Sequence, residues 1–154
     1  MNASRSIILA AEDEESDAFF LGMALKKAGV RHQLVIARDG QEAVEYLNGD
    51  GVYSDRAKYP LPKLLLLDLK MPRMSGFGVL AWLATHPDFK NLPAVVLSSS
   101  AQLTDIEKAR ELGASDYCVK PNNLKELTRL VQELATRWLE SSRESDSTLA
   151  KISE

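Results

Sequence analysis

Apolar residues along this chain fall into short unbroken runs, separated by longer stretches with helical spacing. Five such runs predict strands at Ser6–Ala11, Gln33–Ala37, Lys63–Asp68, Ala94–Ser98 and Ser115–Val119. Within three of them, at Ile7–Ala11, Leu64–Leu67 and Ala94–Leu97, no polar residue interrupts the run. A strand reads that way when helices cover both of its faces, since neither face is wetted.

The intervening segments carry helical periodicity. Leu21, Ala24, Leu25 and Ala28 follow i, i+3, i+4, i+7 spacing ahead of Gly29, a helix stop. Ala43, Val44 and Leu47 do the same after Asp39, which forms a capping-box pair with Glu42. Phe77, Leu80, Ala81 and Ala84 make a third stripe that ends near Pro87. Thr104 with Glu107 predicts a second capping box, opening a short helix that stops at Gly113. Asn123 with Glu126 opens the last helix, where Leu124, Leu127, Val131, Leu134 and Trp138 share one face. The order is β-α repeated five times. Right-handed crossovers then give a doubly wound α/β fold, a five-stranded parallel sheet with helices on both faces. Two segments stand outside the pattern. Residues 48–62 (NGDGVYSDRAKYPLP) read as a long connection, and 141–154 (SSRESDSTLAKISE) as a polar, flexible tail. The chain therefore divides into an arm at 1–4, one domain over 5–140 and the tail.

Composition narrows the function classes. A length of 154 residues with 45% hydrophobic content suits a single core. The formal net charge of −3, with no basic run, argues against direct nucleic-acid binding. Every apolar run is far shorter than the roughly 20 residues a membrane-spanning helix needs. Residues 1–11 lack the basic start and longer apolar region of a secretory signal. One cysteine, Cys118, cannot form an internal disulfide, which fits a reducing compartment. The expectation is a soluble cytoplasmic domain.

Candidate chemistry lies where the strands end, because open parallel sheets bind ligands at their carboxyl edge. The first strand runs into Glu12 and Asp13, the third into Asp68, the fourth into Ser98 and the fifth into Lys120. Any one of these alone reads as an ordinary polar strand end. Together they bring three carboxylates, a hydroxyl and an ammonium group to one edge. Such carboxylates repel one another unless a hard cation offsets them, and Mg²⁺ suits that donor set. Asp68, behind four leucines, is the candidate nucleophile for an acyl phosphate, with Lys120 and Ser98 sharing the phosphoryl charge.

In the stretches ILAAEDEE, LLLLDLKMPRMSG, PAVVLSSSA and GASDYCVKP the chain resembles the receiver domains of two-component response regulators, the CheY-like superfamily. The likeness spans residues 5–138, with 30 residues from Asp68 to Ser98 and 22 from Ser98 to Lys120, as in typical receivers. It implies a flavodoxin-like fold of strand order 2-1-3-4-5. By resemblance, Asp68 is the phosphoacceptor for a sensor histidine kinase, and Glu12 and Asp13 form the acidic pair. Asp13 and Asp68 would ligate Mg²⁺ directly, Glu12 mainly through metal-bound water, and Lys70 through its backbone carbonyl. Lys120 would pair with the phosphate, next to a cis Pro121 peptide. Ser98 would bind the phosphoryl oxygen and Tyr117 would turn inward with it, reshaping the surface that partners read. The long connection and the lack of an effector domain resemble single-domain regulators of bacterial and cyanobacterial phytochrome kinases. Output would then pass to an unidentified downstream protein.

Other features take plainer readings. Glu14, Glu15 and Asp17 sit in the first turn of a helix, where the dipole favours acids. Gly76 reads as a turn requirement, Cys118 as a packed strand residue, and His32 and His86 as loop residues without a metal role. The stripe of Leu124, Leu127 and Val131 reads as core, although receivers often form homodimers through such faces. Asn122 stands where many receivers have phenylalanine. An aspartate-nucleophile phosphatase or phosphotransferase is the rival from another class. It is disfavoured by Lys70, which stands where such enzymes place their acid, and by the lack of a cap-sized insertion. A pseudo-receiver that is never phosphorylated is the third reading. The chain is thus expected to be a phosphoacceptor switch rather than an enzyme.

Overall fold

The computed structural model describes residues 6–140; the predicted arm at 1–4 and tail at 141–154 lie outside them. Five strands, β1 (Ile7–Ala11), β2 (Gln33–Ala37), β3 (Leu64–Leu67), β4 (Ala94–Ser98) and β5 (Asp116–Val119), form one parallel sheet of order 2-1-3-4-5. They alternate with α1 (Glu15–Lys27), α2 (Gly40–Asn48), α3 (Gly76–Ala84), α4 (Leu103–Glu111) and α5 (Leu124–Ala135).

The apolar runs behave as their composition dictates. Every residue of β1, β3 and β4 is buried, whereas the edge strands β2 and β5 are only partly covered. Because successive strand residues face opposite ways, each run feeds two cores. Leu9, Ala11, Leu65 and Leu67 pack with Ala43, Leu47, Val79, Leu80 and Ala109 of α2, α3 and α4. Ile8, Ala10, Leu64 and Leu66 pack with Leu21, Ala24 and Leu25 of α1 and with Val131 and Leu134 of α5. A β1 or β3 leucine cut to alanine would lose contacts on a fully enclosed face, typically about 2–5 kcal/mol.

Two predicted caps form: Asp39 accepts from the Glu42 amide and Asn123 from the Glu126 amide, both at 2.8 Å. The Thr104 capping box does not. The fourth helix starts one residue earlier, at Leu103, with Gln102 before it and no side-chain cap. In α3 the buried positions are Gly76, Val79 and Leu80, while Ala81 and Ala84 of the predicted stripe face solvent. In α5 the stripe is core: Leu127 and Val131 are buried and Leu124 is half-buried.

Residues 48–62 are more than a connection. Gly49 ends α2 in the left-handed region (φ 75°), and Gly51–Ser54 forms a 3-10 turn. Arg56 then donates to the carbonyls of Tyr46 (2.8 Å) and Leu47 (2.7 Å), satisfying the open end of α2. The Tyr53 ring centroid lies 5.0 Å from those of both Tyr46 (tilted) and Tyr59 (edge-to-face), and its hydroxyl donates to Glu42 (3.0 Å). Burial and the Glu42 carboxylate push its hydroxyl up to about 12. Among the described residues, no helix is long and apolar enough to cross a membrane.

Candidate functional site

The sheet order reverses at β1, so a crevice opens between the carboxyl ends of β1 and β3. Ladder bonds continue past the strand ends into it. The Glu12 amide donates to the Ala37 carbonyl (2.9 Å), the Asp68 amide to Ala11 (3.1 Å) and the Lys120 amide to Ser98 (2.7 Å). The backbones beside the crevice are thereby fixed, and their side chains converge. One oxygen each from Glu12, Asp13 and Asp68 lies within 4.8 Å of the others. Three carboxylate oxygens at that separation fit a hard divalent cation.

Lys120 ties the group together. Its Nζ donates to Glu12 Oε1 (2.7 Å), Asp17 Oδ2 (2.8 Å) and Asp68 Oδ2 (3.3 Å), so each of its three protons has a carboxylate acceptor. The other Glu12 oxygen accepts from the Glu14 amide (3.0 Å). Burial raises the Glu12 carboxyl above its ordinary value, although Lys120 and the Glu14 amide favour its charged form. Burial alone would lower the Lys120 ammonium. Its bonds to Asp17 and Glu12, with the Asp68 charge, outweigh that and hold it above the ordinary lysine range.

The loop after Asp68 is pinned by close approach. A Cβ on Gly76 would stand 2.3 Å from the Asp68 carbonyl oxygen, so this first residue of α3 is glycine for space rather than for turn conformation. The left-handed residue of the loop is instead Arg73 (φ 62°). Its guanidinium grips Asp39 through Nε (2.8 Å) and NH2 (3.2 Å), and the Gly40 amide donates to Met74 (2.9 Å). The start of α2 thus anchors the loop that holds Lys70. Burial tends to raise the Asp39 carboxyl, but Arg73 and the Glu42 amide hold it below the usual aspartate range. A depressed folded value means that this carboxylate contributes its stability above the unfolded value near pH 4. The contribution is lost as pH falls through the folded one. We predict that Asp39→Ala costs about 2 kcal/mol in urea unfolding at pH 7, through the lost cap and ion pair. The difference from the parent should shrink on acidification below about pH 4.

On the other side, buried Ser98 accepts from the Ser100 amide through Oγ (3.1 Å). Ser100 Oγ donates to Asp105 (2.6 Å), and the half-buried Tyr117 donates its hydroxyl proton to the Ser100 carbonyl (2.8 Å). Ser98 and Tyr117 therefore meet at Ser100, on the loop leading into α4. Cys118 is half-buried in β5, and burial with the nearby Asp116 charge pushes its thiol up to about 11, far from a reactive thiolate. His86 is held by the Trp82 carbonyl (2.7 Å) and stacked on the Trp82 ring, away from the crevice.

The structure therefore brings Glu12, Asp13, Asp68 and Lys120 together as the sequence predicts. Besides the role of Gly76, it differs at the Pro121 peptide and at Asp17. Among the described residues no peptide is cis, so the Lys120–Pro121 bond is trans, the favoured form of an X–Pro bond. Asp17 is no mere dipole partner: from the first turn of α1 it reaches Lys120.

Comparison with known proteins agrees with this geometry. The family model for the response regulator receiver domain matches residues 8–132. The response regulator Rcp1 of Synechocystis sp. is 38% identical over 135 residues, 88% of this chain and 90% of that protein. The solved Mn²⁺-bound form of Rcp1 superposes with a TM-score of 0.77 over 88% of this chain and 95% of that one. The phosphorylated cyanobacterial phytochrome response regulator RcpA is 35% identical, with a TM-score of 0.81 over 90% of this chain and 96% of its own. RPA3017, a response regulator in red light signalling of R. palustris, is 30% identical, with a TM-score of 0.83 over 87% and 94% of the two chains. With the family model spanning most of the chain and the fold and acidic crevice in agreement, this protein belongs to the response regulator receiver domain family.

Proposed function

We propose that this chain is a phosphorelay switch that accepts a phosphoryl group on Asp68 from a sensor histidine kinase, with Mg²⁺ as cofactor. The observation that carries the reading is the convergence of Asp68, Glu12, Asp13 and Lys120 at one sheet edge. Asp13 and Asp68, with the Lys70 carbonyl, would hold the ion directly. Both oxygens of Glu12 already accept hydrogen bonds, which supports a role through water for that residue. When bound, Mg²⁺ supplies charge neutralisation for the phosphoryl oxygens.

In the transfer, an Asp68 carboxylate oxygen attacks phosphorus, a P–O bond forms, and the P–N bond to the donor histidine breaks. The imidazole leaves with its electron pair and takes a proton from solvent. Lys120 offsets charge on the transferring group, and Ser98 offers its hydroxyl to a phosphoryl oxygen. Movement of Ser98 would be read out at Ser100, where Tyr117 is also anchored. This is a two-state element biased by one phosphate. Nothing in the scheme requires turnover: a phosphoacceptor switch takes one group per chain, and a downstream protein reads the altered surface.

The likeness to Rcp1 and RcpA, together with the 48–62 segment, supports a phytochrome-type kinase as donor. The testing experiment is phosphotransfer from a phosphorylated phytochrome kinase, compared with kinases of other sensor types. Rapid transfer from the phytochrome kinase alone is expected; equal transfer from all would remove that assignment. Ser98→Ala should still be labelled, at a rate reduced about tenfold by loss of one hydrogen bond to the phosphoryl group. Its amide spectrum should fail to show the shifts at Ser100 and Tyr117 that phosphorylation gives the parent.

A further inference from the structure

The Lys120 ammonium is shared unequally among its three acceptors. Glu12 and Asp17 hold it at 2.7 and 2.8 Å, whereas Asp68 stands at 3.3 Å. Asp17 lies outside the three-carboxylate cluster and approaches from the first turn of α1. It lines a cleft with Phe20, Leu21, Pro121 and Leu124, apolar walls that strengthen a charge pair by lowering the local dielectric. The neighbouring Glu15 carries the same charge on the same turn, yet its side chain is 83% exposed and pairs with Arg38 at 3.4 Å.

We infer that Asp17 is a positioning residue for Lys120, holding the ammonium off Asp68 so that this carboxylate stays open to the cation and to the incoming phosphoryl group. The inference rests on Asp68 being the phosphoacceptor. Without Asp17, Glu12 and Asp68 are the remaining carboxylates; the Glu12 contact is already short at 2.7 Å, so the 3.3 Å contact to Asp68 is the one with room to close. Closing that 3.3 Å contact would partly neutralise the nucleophile and remove charge that the cation would otherwise meet.

The test is calorimetric titration of Mg²⁺ into the full chain before any phosphodonor is added, followed by initial labelling rates with acetyl phosphate. Asp17→Asn should raise the Mg²⁺ Kd about three- to tenfold, the factor for a partly exposed charge pair, and slow labelling comparably. Asp17→Glu should recover most of both. Glu15→Gln, which removes the same charge without touching Lys120, should match the parent. An Asp17→Asn protein that melts like the parent and binds Mg²⁺ with unchanged Kd overturns the inference, as does an equal shift from Glu15→Gln. A parent that binds Mg²⁺ but is labelled elsewhere than Asp68 overturns the phosphoacceptor reading, and the positioning role with it.

Discussion

Asp68→Asn is expected to abolish Mg²⁺-dependent labelling by a phosphodonor, a loss of at least about a hundredfold, since an amide oxygen is a far poorer nucleophile than a carboxylate. The substitution is nearly isosteric, so the fold should survive. One of the three carboxylates crowded within 4.8 Å also disappears, and with it part of their mutual repulsion. The variant should therefore melt at or above the parent's temperature without Mg²⁺, and should gain less from added Mg²⁺. Loss of labelling in a protein that melts well below the parent would point instead to damage of the fold. Labelling that persisted in a well-folded variant would sink the assignment of Asp68.

Gly76→Ala is expected to cost the fold heavily, although it adds only one methyl group beside the site. Its Cβ would meet the Asp68 carbonyl oxygen at 2.3 Å and Leu69 Cα at 3.1 Å, and both are backbone atoms with no rotamer through which to yield. Relief requires α3 to move away from the end of β3, opening the core around Val79 and Leu80. Overpacking of this kind costs about 3 kcal/mol or more, a large share of the 5–15 kcal/mol typical of a domain. Urea unfolding should show the drop directly. Alanine at Gly29, where no atom lies within 4 Å, is the contrasting case: its cost is confined to the left-handed backbone (φ 77°), about 1 kcal/mol. If the two variants unfolded alike, close approach would not be what Gly76 provides.

These two glycines show what was legible in the sequence and what was not. Runs that are apolar throughout declared β1, β3 and β4, because their pattern is set by burial on both faces. The same logic placed Glu12, Asp13, Asp68 and Lys120 at one edge, since a strand end is a local property and the sheet does the rest. Asp39 and Asn123 were readable as caps, being local too. Thr104 was not: its capping-box spacing competed with a helix that begins at Leu103, and the structure uses the earlier start. Gly76 was singled out for the wrong reason, because close approach between α3 and Asp68 is tertiary and leaves no trace in spacing. Arg73 gave no sequence signal of its left-handed backbone, which a long-range grip on Asp39 supports. Asp17 was hidden by its neighbours, one acid among five in six positions, and only the approach of Lys120 across 103 residues separates it from them. The 48–62 segment looked irregular because tyrosines and an arginine, rather than periodic apolar residues, organise it.

The central claim is that Asp68 carries the phosphoryl group. It is tested most directly by reducing the labelled chain with borohydride, which converts an acyl phosphate to an alcohol, and mapping the altered residue by peptide mass spectrometry. The expected result is a single reduced residue at position 68, formed only when both phosphodonor and Mg²⁺ are present. Modification at any other residue, or sustained release of phosphate from a phosphomonoester with no trapped intermediate, would contradict it.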